Sequence, residues 1–598
     1  MKEKIKKIIN GNIVIVNVIL SIILTIGMNL SINIKENKML FDGNQIIWLM
    51  LCILIYYILR ESEKLKEKRL IFCSMILGIL FAVIETIGKL TNSYWGSAEV
   101  ILSKKIIVYI IIKIIVYGSV FTNAIKIIMN KLSKIKVEKK SDRYILRPTL
   151  KTFIIVAILF FIAWLPYFIN YYPAITSFDT NYQLMQGYGI YEYTNHHPIM
   201  HTLIITFFSK IGYGIAGNYN LGMAMYAIIQ MLMCALTYSF TIYYMGKKNI
   251  PKAIRILTFI FFAFNPIVPQ FSIAVWKDVP FSMAMLLFVI AIIESIKNKE
   301  IFKNYKFDIA LAIDLLAIMF FRNNGLYVVL LTFPLILIAR RKSYKQIIPT
   351  FIIPIAIYII ITGPVYAKLN IVKSSPGEML SIPLQQMARI SINKWDELTE
   401  NEKERIAMYI PTDKVKELYR SNISDPVKNS FNVANYKQNK VAFFKLYVKL
   451  ALHFPIETIE SLIAGTYGYY YPDMTTFPVA VGNYESPLDN EKFMEIKHNE
   501  NLIVPGVDKV INTIYDKKMP IVSLLANIGF AFWVVMILLM YNIYRKKYEN
   551  ILMYIPIAVL YLTCLASPVS GELRYIYSMF ISIPLFIGFA IDKVIDNK

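Results

Sequence analysis

Residues 198–216 read PIMHTLIITFFSKIGYGIA, and whether they cross a membrane decides the topology of everything that follows. By length and apolarity the run is a span. Counted as a span, it moves every later loop to the opposite face. Counted as an interfacial or re-entrant helix, it leaves six basic clusters on one side: Arg60–Arg69, Lys131–Arg147, Lys247–Arg255, Lys297–Lys306, Arg340–Lys345 and Arg545–Lys547. Clustered Lys/Arg marks the cytoplasmic side, and agreement over six clusters outweighs the hydropathy of one segment. The segment also follows His196-His197 and carries His201 and Lys210. We therefore expect it to lie at the outer surface without crossing.

Outward from that stretch, apolar runs of bilayer-spanning length recur near 11–34, 44–60, 70–90, 106–129, 149–171, 219–244, 252–270, 280–296, 307–321, 325–340, 346–363, 520–544, 550–567 and 573–592. A chain of 598 residues that is 56% hydrophobic, with mean hydropathy +0.50, is too apolar for a soluble domain. The expected fold is an all-α polytopic membrane protein with both termini cytoplasmic. The formal charge of +24 is dispersed between the spans and does not indicate nucleic acid. Cys52, Cys73, Cys234 and Cys564 lie in or beside apolar runs without metal-ligand spacing, so neither a zinc site nor a disulfide framework follows. The first apolar run is too long for a signal peptide and has no small-residue cleavage site. High Ile, Lys and Asn content resembles that of a low-GC bacterial proteome.

The pattern divides the chain into an accessory region of about four spans (1–130), a basic cytoplasmic linker (131–148), a membrane core (149–363), a long loop (364–519) and C-terminal spans (520–598). The long loop carries 19 Lys/Arg and 19 Asp/Glu and reads as a mainly helical extracytoplasmic domain. Within it, Val441–Gly465 is amphipathic enough to lie on the membrane. Glu85 and Lys113, the charges inside the accessory spans, read as an intrabundle pair or snorkelling ends. Asp314, in mid-span, needs a polar partner or a proton.

With this topology the polar islands share the outer face. Ser177-Phe178-Asp179-Thr180 ends one span. His196-His197-Pro198 opens the interfacial segment. Trp276-Lys277-Asp278 and Arg322-Asn323-Asn324-Gly325 are turns between spans, and Ser567–Arg574 precedes the last span. Carboxylates and imidazoles gathered at one membrane face point to chemistry there. Asp179 suits a general base toward a hydroxyl, although Ser177 or Asp179 could equally cap a short helix. His196 and His197 suit phosphate or metal binding, but no His-Glu-x-x-His pattern supports a metal. Lys277 and Arg322 suit an anionic ligand. Arg574, an outer arginine against the positive-inside bias, stands beside Glu572 and Tyr575.

In this order the islands resemble the GT-C superfamily, membrane glycosyltransferases that use polyprenyl-phosphate-linked sugars. Within it the layout is similar to protein O-mannosyltransferases and the lipid A aminoarabinose transferase, and resembles most an uncharacterised bacterial multi-span family. Asp179, His197-Pro198, Asp278 and Arg574-Tyr575 occupy the places of the first acidic loop, the step into a peripheral helix, the second acidic loop and the late Arg-Tyr. Residues 382–389, IPLQQMAR, carry the resemblance into the long loop. It spans about residues 150–591 and leaves the first four spans unexplained. One proline follows the histidines where two are usual, and Asp179-Thr180 stands where Asp-Glu is common.

The resemblance implies a GT-C-like bundle of about ten spans and inverting sugar transfer to an envelope glycan, lipid or protein acceptor. Asp179 and Asp278 would be catalytic. His196, His197, Lys277, Arg322, Gln385, Gln386, Arg389, Glu572, Arg574 and Tyr575 would bind substrate. Metal dependence stays open, because the superfamily has members of both kinds. The rival readings are a lipid or polysaccharide transporter, which would need polar residues at mid-depth, and an envelope scaffold.

Overall fold

The computed structural model describes residues 2–33, 36, 38–41, 43–93, 104–135, 146–474, 496, 504, 506–507, 509–510, 513, 523–567 and 569–591. Apart from one hairpin, the described residues are helices and their connections. Ten of these helices are long and apolar enough to cross a membrane, and three shorter apolar helices accompany them. The chain is an all-α, multi-pass membrane protein.

The accessory region holds α1 (Lys2–Met28), β1 (Leu30–Asn33), β2 (Lys38–Phe41), α2 (Gln45–Glu63), α3 (Lys68–Ser93) and α4 (Lys104–Lys134). The first helix ends at Met28, not near residue 34 as its apolar run suggested. Residues 30–33 turn back instead and pair antiparallel with 38–41. The hairpin sets Ile32 and Met39 against Leu30, Leu90 and Tyr109, so burial against α3 and α4 outweighs helix continuation. Lys113 is buried in α4, and its ammonium donates to the Met28 carbonyl (2.7 Å) and faces the Tyr117 ring. It acts as an intrabundle tie.

The core begins with α5 (Leu150–Asn170), whose N-cap Thr149 accepts from the Thr152 N–H. It continues through α6 (Phe178–Gly187), α7 (Ile199–Ala216), α8 (Asn220–Lys247), α9 (Lys252–Phe264), α10 (Ile267–Ser272), α11 (Asp278–Lys297), α12 (Tyr305–Phe321), α13 (Gly325–Ala339) and α14 (Tyr344–Ile360). The run expected as one span over 252–270 is two helices. Asn265 precedes Pro266 and is extended (ψ 116), the conformation that a following proline ring favours. The break turns the chain into the buried α10.

α7 is 18 residues long and apolar enough to cross, so its length does not set it apart from the spans. It runs parallel to α6, with Gln183 on Thr202, Gly187 against Thr206 and Tyr188 on Ser209. Against α8, its Gly212 meets the Gly222 backbone, where a Cβ would come within 2.0 Å, and its His201 meets Tyr226. Phe208, one turn before Gly212, packs on Tyr226, one turn after Gly222, with ring centroids 6.1 Å apart, so from the glycine contact both helices advance by a similar distance. The two helices therefore pack along each other, and the reading of α7 as interfacial rests on the side shared by the basic clusters. Reporter fusions at Thr194 and at Asn218 should then report the same side of the membrane; opposite sides would make α7 a span.

The long loop includes α15 (Ser381–Asn393), α16 (Lys440–His453) and α17 (Pro455–Thr466), and α18 (Ile528–Tyr544), α19 (Ile555–Ala566) and α20 (Leu573–Ile591) follow it. The loop domain has its own core, including Leu384, Met387, Ile406, Tyr409, Phe443, Leu446 and Leu450. The basic clusters gather at one end of the bundle. There Arg69 reaches the Ile543 carbonyl and Tyr548, Glu549 pairs with Lys299 and Arg340, Lys248 pairs with Glu294, and Arg255 binds the Leu146 carbonyl. The polar islands gather at the other end.

Candidate functional site

Two backbone contacts build the site. Segment 175–180 lies beside 273–276 as a short parallel bridge: the Ile175 N–H donates to Ile273 (3.2 Å) and the Val275 N–H to Ile175 (2.9 Å). The Thr180 hydroxyl donates to the Val275 carbonyl (2.8 Å) and accepts from the Ser177 N–H (3.2 Å). Ser177 is the N-cap of α6. Asp179 is thus not needed as a cap, and its carboxylate is available elsewhere.

One oxygen of Asp179, Oδ2, accepts from Lys277 Nζ (2.7 Å) and from Arg574 Nη1 (3.0 Å). The Asp179 side chain remains a quarter exposed. Burial alone would raise this carboxyl, but Lys277 and Arg574 hold it well below the usual carboxylate range. Lys277 Nζ also lies 3.0 Å from His197 Nδ1. Burial and the neighbouring Lys277 push His197 down to about 2, with Asp179 opposing. The imidazole is therefore neutral, and its Nδ1 accepts from the ammonium.

The sign of this shift fixes a pH dependence. Above pH 6.5, His197 is neutral both folded and unfolded. Below it, the unfolded chain takes up a proton that the folded chain refuses until about pH 2, so stability falls as pH falls. The slope for one proton is about 1.4 kcal/mol per pH unit, or about 2 kcal/mol by pH 5. Asp179, ionised in both states above its ordinary range, adds nothing in this window. His201, buried and likewise pushed down to about 3, adds a second proton's share, so His197→Asn should lower the slope of thermal unfolding between pH 7 and pH 5 by one proton's share. Identical slopes in the two proteins would show that His197 is solvated in its charged form.

Behind this group sits a buried ion pair. Asp278 opens α11, and its Oδ1 is 3.4 Å from Arg322 Nε. Neither oxygen of Asp278 has a hydrogen-bond partner. Arg322 donates to the Tyr575 carbonyl (2.9 Å) and lies over the Tyr575 ring at 4.5 Å. Arg574 lies near the same ring at 5.0 Å and near Trp276 at 5.8 Å. Glu572 Oε1 is 3.6 Å from Arg574 Nε. Burial raises Glu572; Arg574 opposes this, while Asp278 and Asp179 add to it. Three cations thus balance three carboxylates drawn from the ends of four different helices. Two donors among them, Trp276 Nε1 and Arg574 Nε, are buried without a hydrogen-bond acceptor. Such a cluster can take a phosphate by exchanging carboxylate oxygens for phosphate oxygens.

The structure brings together Asp179, His197, Lys277, Asp278, Arg322, Glu572, Arg574 and Tyr575. His196 is more exposed and faces Glu378 of the long loop (3.5 Å), which also pairs with Lys428. Gln385, Gln386 and Arg389 do other work on α15. Gln385 donates to the Arg420 carbonyl. Gln386 donates to Thr458 (3.0 Å) and accepts from Tyr447 (2.7 Å), and Arg389 pairs with Glu457 (2.9 Å) and Glu460 (2.5 Å). These contacts lock α15 to α17 within the loop domain. The domain reaches the site through the backbone, where the Ser570 N–H donates to Asn422 (2.8 Å) next to Glu572. His201 is fully buried between Gln183 and Tyr226, and Tyr226 leads through Gln230 to the Ser272 and Ala274 carbonyls. This network supports the 273–276 segment from behind.

Sequence reasoning missed Tyr469. Its hydroxyl is buried without a partner, within electrostatic reach of Tyr575, Glu572 and Arg322. The Tyr467–Pro472 run signals only a loop, and nothing local places one of its tyrosines here. Among the described residues, no three His, Cys, Asp or Glu side chains are grouped to hold a metal ion.

The model of a family of unknown function, DUF6020, matches residues 7–593, and the chain belongs to that family. No protein of curated function and no solved structure matches it.

Proposed function

We propose that this chain is an inverting membrane glycosyltransferase that moves a sugar from a polyprenyl-phosphate donor to a hydroxyl of an envelope acceptor on the extracytoplasmic face. The observation that carries the reading is the grip of Lys277 and Arg574 on one oxygen of Asp179, at the end of the bundle opposite the basic clusters. The order of the islands along the chain, which resembles GT-C enzymes, supports the same reading.

The donor phosphate takes the place of Asp179 Oδ2 on Lys277 and Arg574, and its lipid tail lies between helices. Asp179, released from both cations, regains ordinary basicity and removes the proton of the acceptor hydroxyl. The acceptor oxygen forms a bond to the anomeric carbon as the bond from that carbon to the phosphate oxygen breaks. The departing polyprenyl phosphate keeps the electron pair, and Lys277 and Arg574 stabilise its charge. Neutral His197 orients Lys277. Asp278 and Arg322 hold the α11 and α20 ends in register beneath the reacting groups.

One feature favours transport instead. Asp308 and Asp314 on α12 each leave a buried carboxylate oxygen without a partner, and a transport path would use such groups. Two carboxylates on one helix do not make a path across the bilayer, and the transferase reading uses the larger cluster. The deciding experiment supplies labelled polyprenyl-phosphate sugars to membranes containing the chain. Label should appear on an envelope acceptor. Donor uptake across the bilayer without transfer would establish the transporter.

A further inference from the structure

The helix pair α16–α17 carries an apolar surface that the loop domain does not use. In α16, Phe443, Leu446 and Leu450 face the domain core, while Val441, Phe444, Val448 and Leu452 form a second, exposed stripe at helical spacing. Leu452 is 78% exposed and Val441 63%. The stripe continues on α17 through Ile456 and Ile459, opposite the buried Glu457 and Ser461. A soluble surface scatters such residues singly; a contiguous file of them marks an interaction surface.

Its charge and position specify the partner. α16 contains Lys440, Lys445 and Lys449 and no carboxylate. With Val441, Phe444 and Val448 these lysines line a shallow groove. Lys449 pairs with Glu402 (3.0 Å) but stays 60% exposed, and the other two lysines flank the stripe. α17 runs directly into the Tyr467–Tyr471 turn, which is seated on the bundle: Trp533 of α18 donates to the Tyr470 carbonyl (3.0 Å), Tyr467 donates to Asn92 (3.2 Å), and Tyr561 of α19 binds the Tyr469 carbonyl. The α17 end of the stripe thus lies about two helical turns from the point where the chain meets the membrane-spanning bundle. A basic fringe around it would repel a second copy of the same surface and attract anions.

We propose that α16 and the start of α17 form a lipid-binding surface, their apolar stripe embedded among acyl chains and Lys440 and Lys445 bound to anionic headgroups of the protein's own membrane. The surface holds the loop domain down over the polar cluster, to which that domain is joined at Asn422 and Ser570. This inference is independent of the transferase reading.

The test uses full-length protein in lipid nanodiscs, with Cys52→Ser to remove the partly exposed thiol and a nitroxide at Val448→Cys. The other three native cysteines are buried. In discs containing phosphatidylglycerol, the label should be several-fold less accessible to an aqueous nickel relaxant, and more accessible to oxygen, than a label at the exposed Asp413→Cys. Pure phosphatidylcholine discs, or the Lys440→Glu/Lys445→Glu variant, should restore nickel access. The proposal is overturned if Val448 matches Asp413 in both lipids, or if it is shielded equally with and without the lysines. Shielding in detergent that grows with protein concentration would put a second copy there, and would also overturn it.

Discussion

Asp179→Asn is expected to lower sugar transfer by about 10²-fold or more, the scale of general-base removal, while the protein folds normally and keeps its donor. The helix start survives because Ser177 and Thr180, not Asp179, make the cap of α6. Donor binding survives, or tightens, because asparagine removes the charge that competes with phosphate for Lys277 and Arg574. Transfer falls because the amide cannot accept the acceptor's proton. A purely structural Asp179 predicts the opposite division, with lost stability and weakened binding. The measurement is donor binding and transfer on the same membranes, with Asp278→Asn in parallel, for which a milder loss is expected. If Asp179→Asn transfers at the wild-type rate while Asp278→Asn is dead, the base is Asp278. If neither change matters and no donor binds, the transferase reading falls and transport and scaffolding are the readings left.

The two ends of the molecule were legible because they rest on composition. Apolar runs separated by Lys/Arg on one side and by Asp, His and Trp on the other follow from bilayer thickness and charge bias, and the two sets of loops do meet at opposite ends of the bundle. The residues Asp179, Lys277 and Arg574 could be picked out one at a time, each as an odd charge near an apolar boundary. Their sharing of a single oxygen could not, because it depends on the backbone bridge between 175 and 274, which has no local signature. Gln386 and Arg389 illustrate the converse. Polar residues on a helix look equally functional whether they face a site or bind Glu457 and Thr458 within their own domain, and only the fold separates the two. The break at Asn265-Pro266 was readable from the proline, but it lay inside a run whose apolarity suggested continuity. The hairpin over 30–41 was hidden in the same way, since Leu30–Asn33 extends an apolar run and becomes a strand only because Leu90 and Tyr109 are there to cover it.

Arg322→Met should cost about 3–5 kcal/mol of folding stability, the range for removing one partner of a buried ion pair. Asp278 is 0% exposed and makes no hydrogen bond, so Arg322, at 3.4 Å, is its direct counter-charge. A carboxylate stripped of that charge must stay ionised without solvation or take up a proton, and either is costly. Methionine fills much of the guanidinium's volume, which keeps loss of packing against Tyr575 and Phe281 a minor part of the change. Arg322→Met/Asp278→Leu should therefore recover most of the loss, because replacing both partners by apolar groups removes the desolvation cost along with the attraction. Thermal unfolding in one detergent, compared across wild type, both single variants and the double variant, gives the coupling directly. Full stability in Arg322→Met would mean that Arg574, which lies within electrostatic reach of Asp278, already neutralises it. Transfer by the stable double variant then separates the two roles open to Asp278: near-normal turnover makes it a structural partner of Arg322, and a dead but folded enzyme makes its charge part of the chemistry.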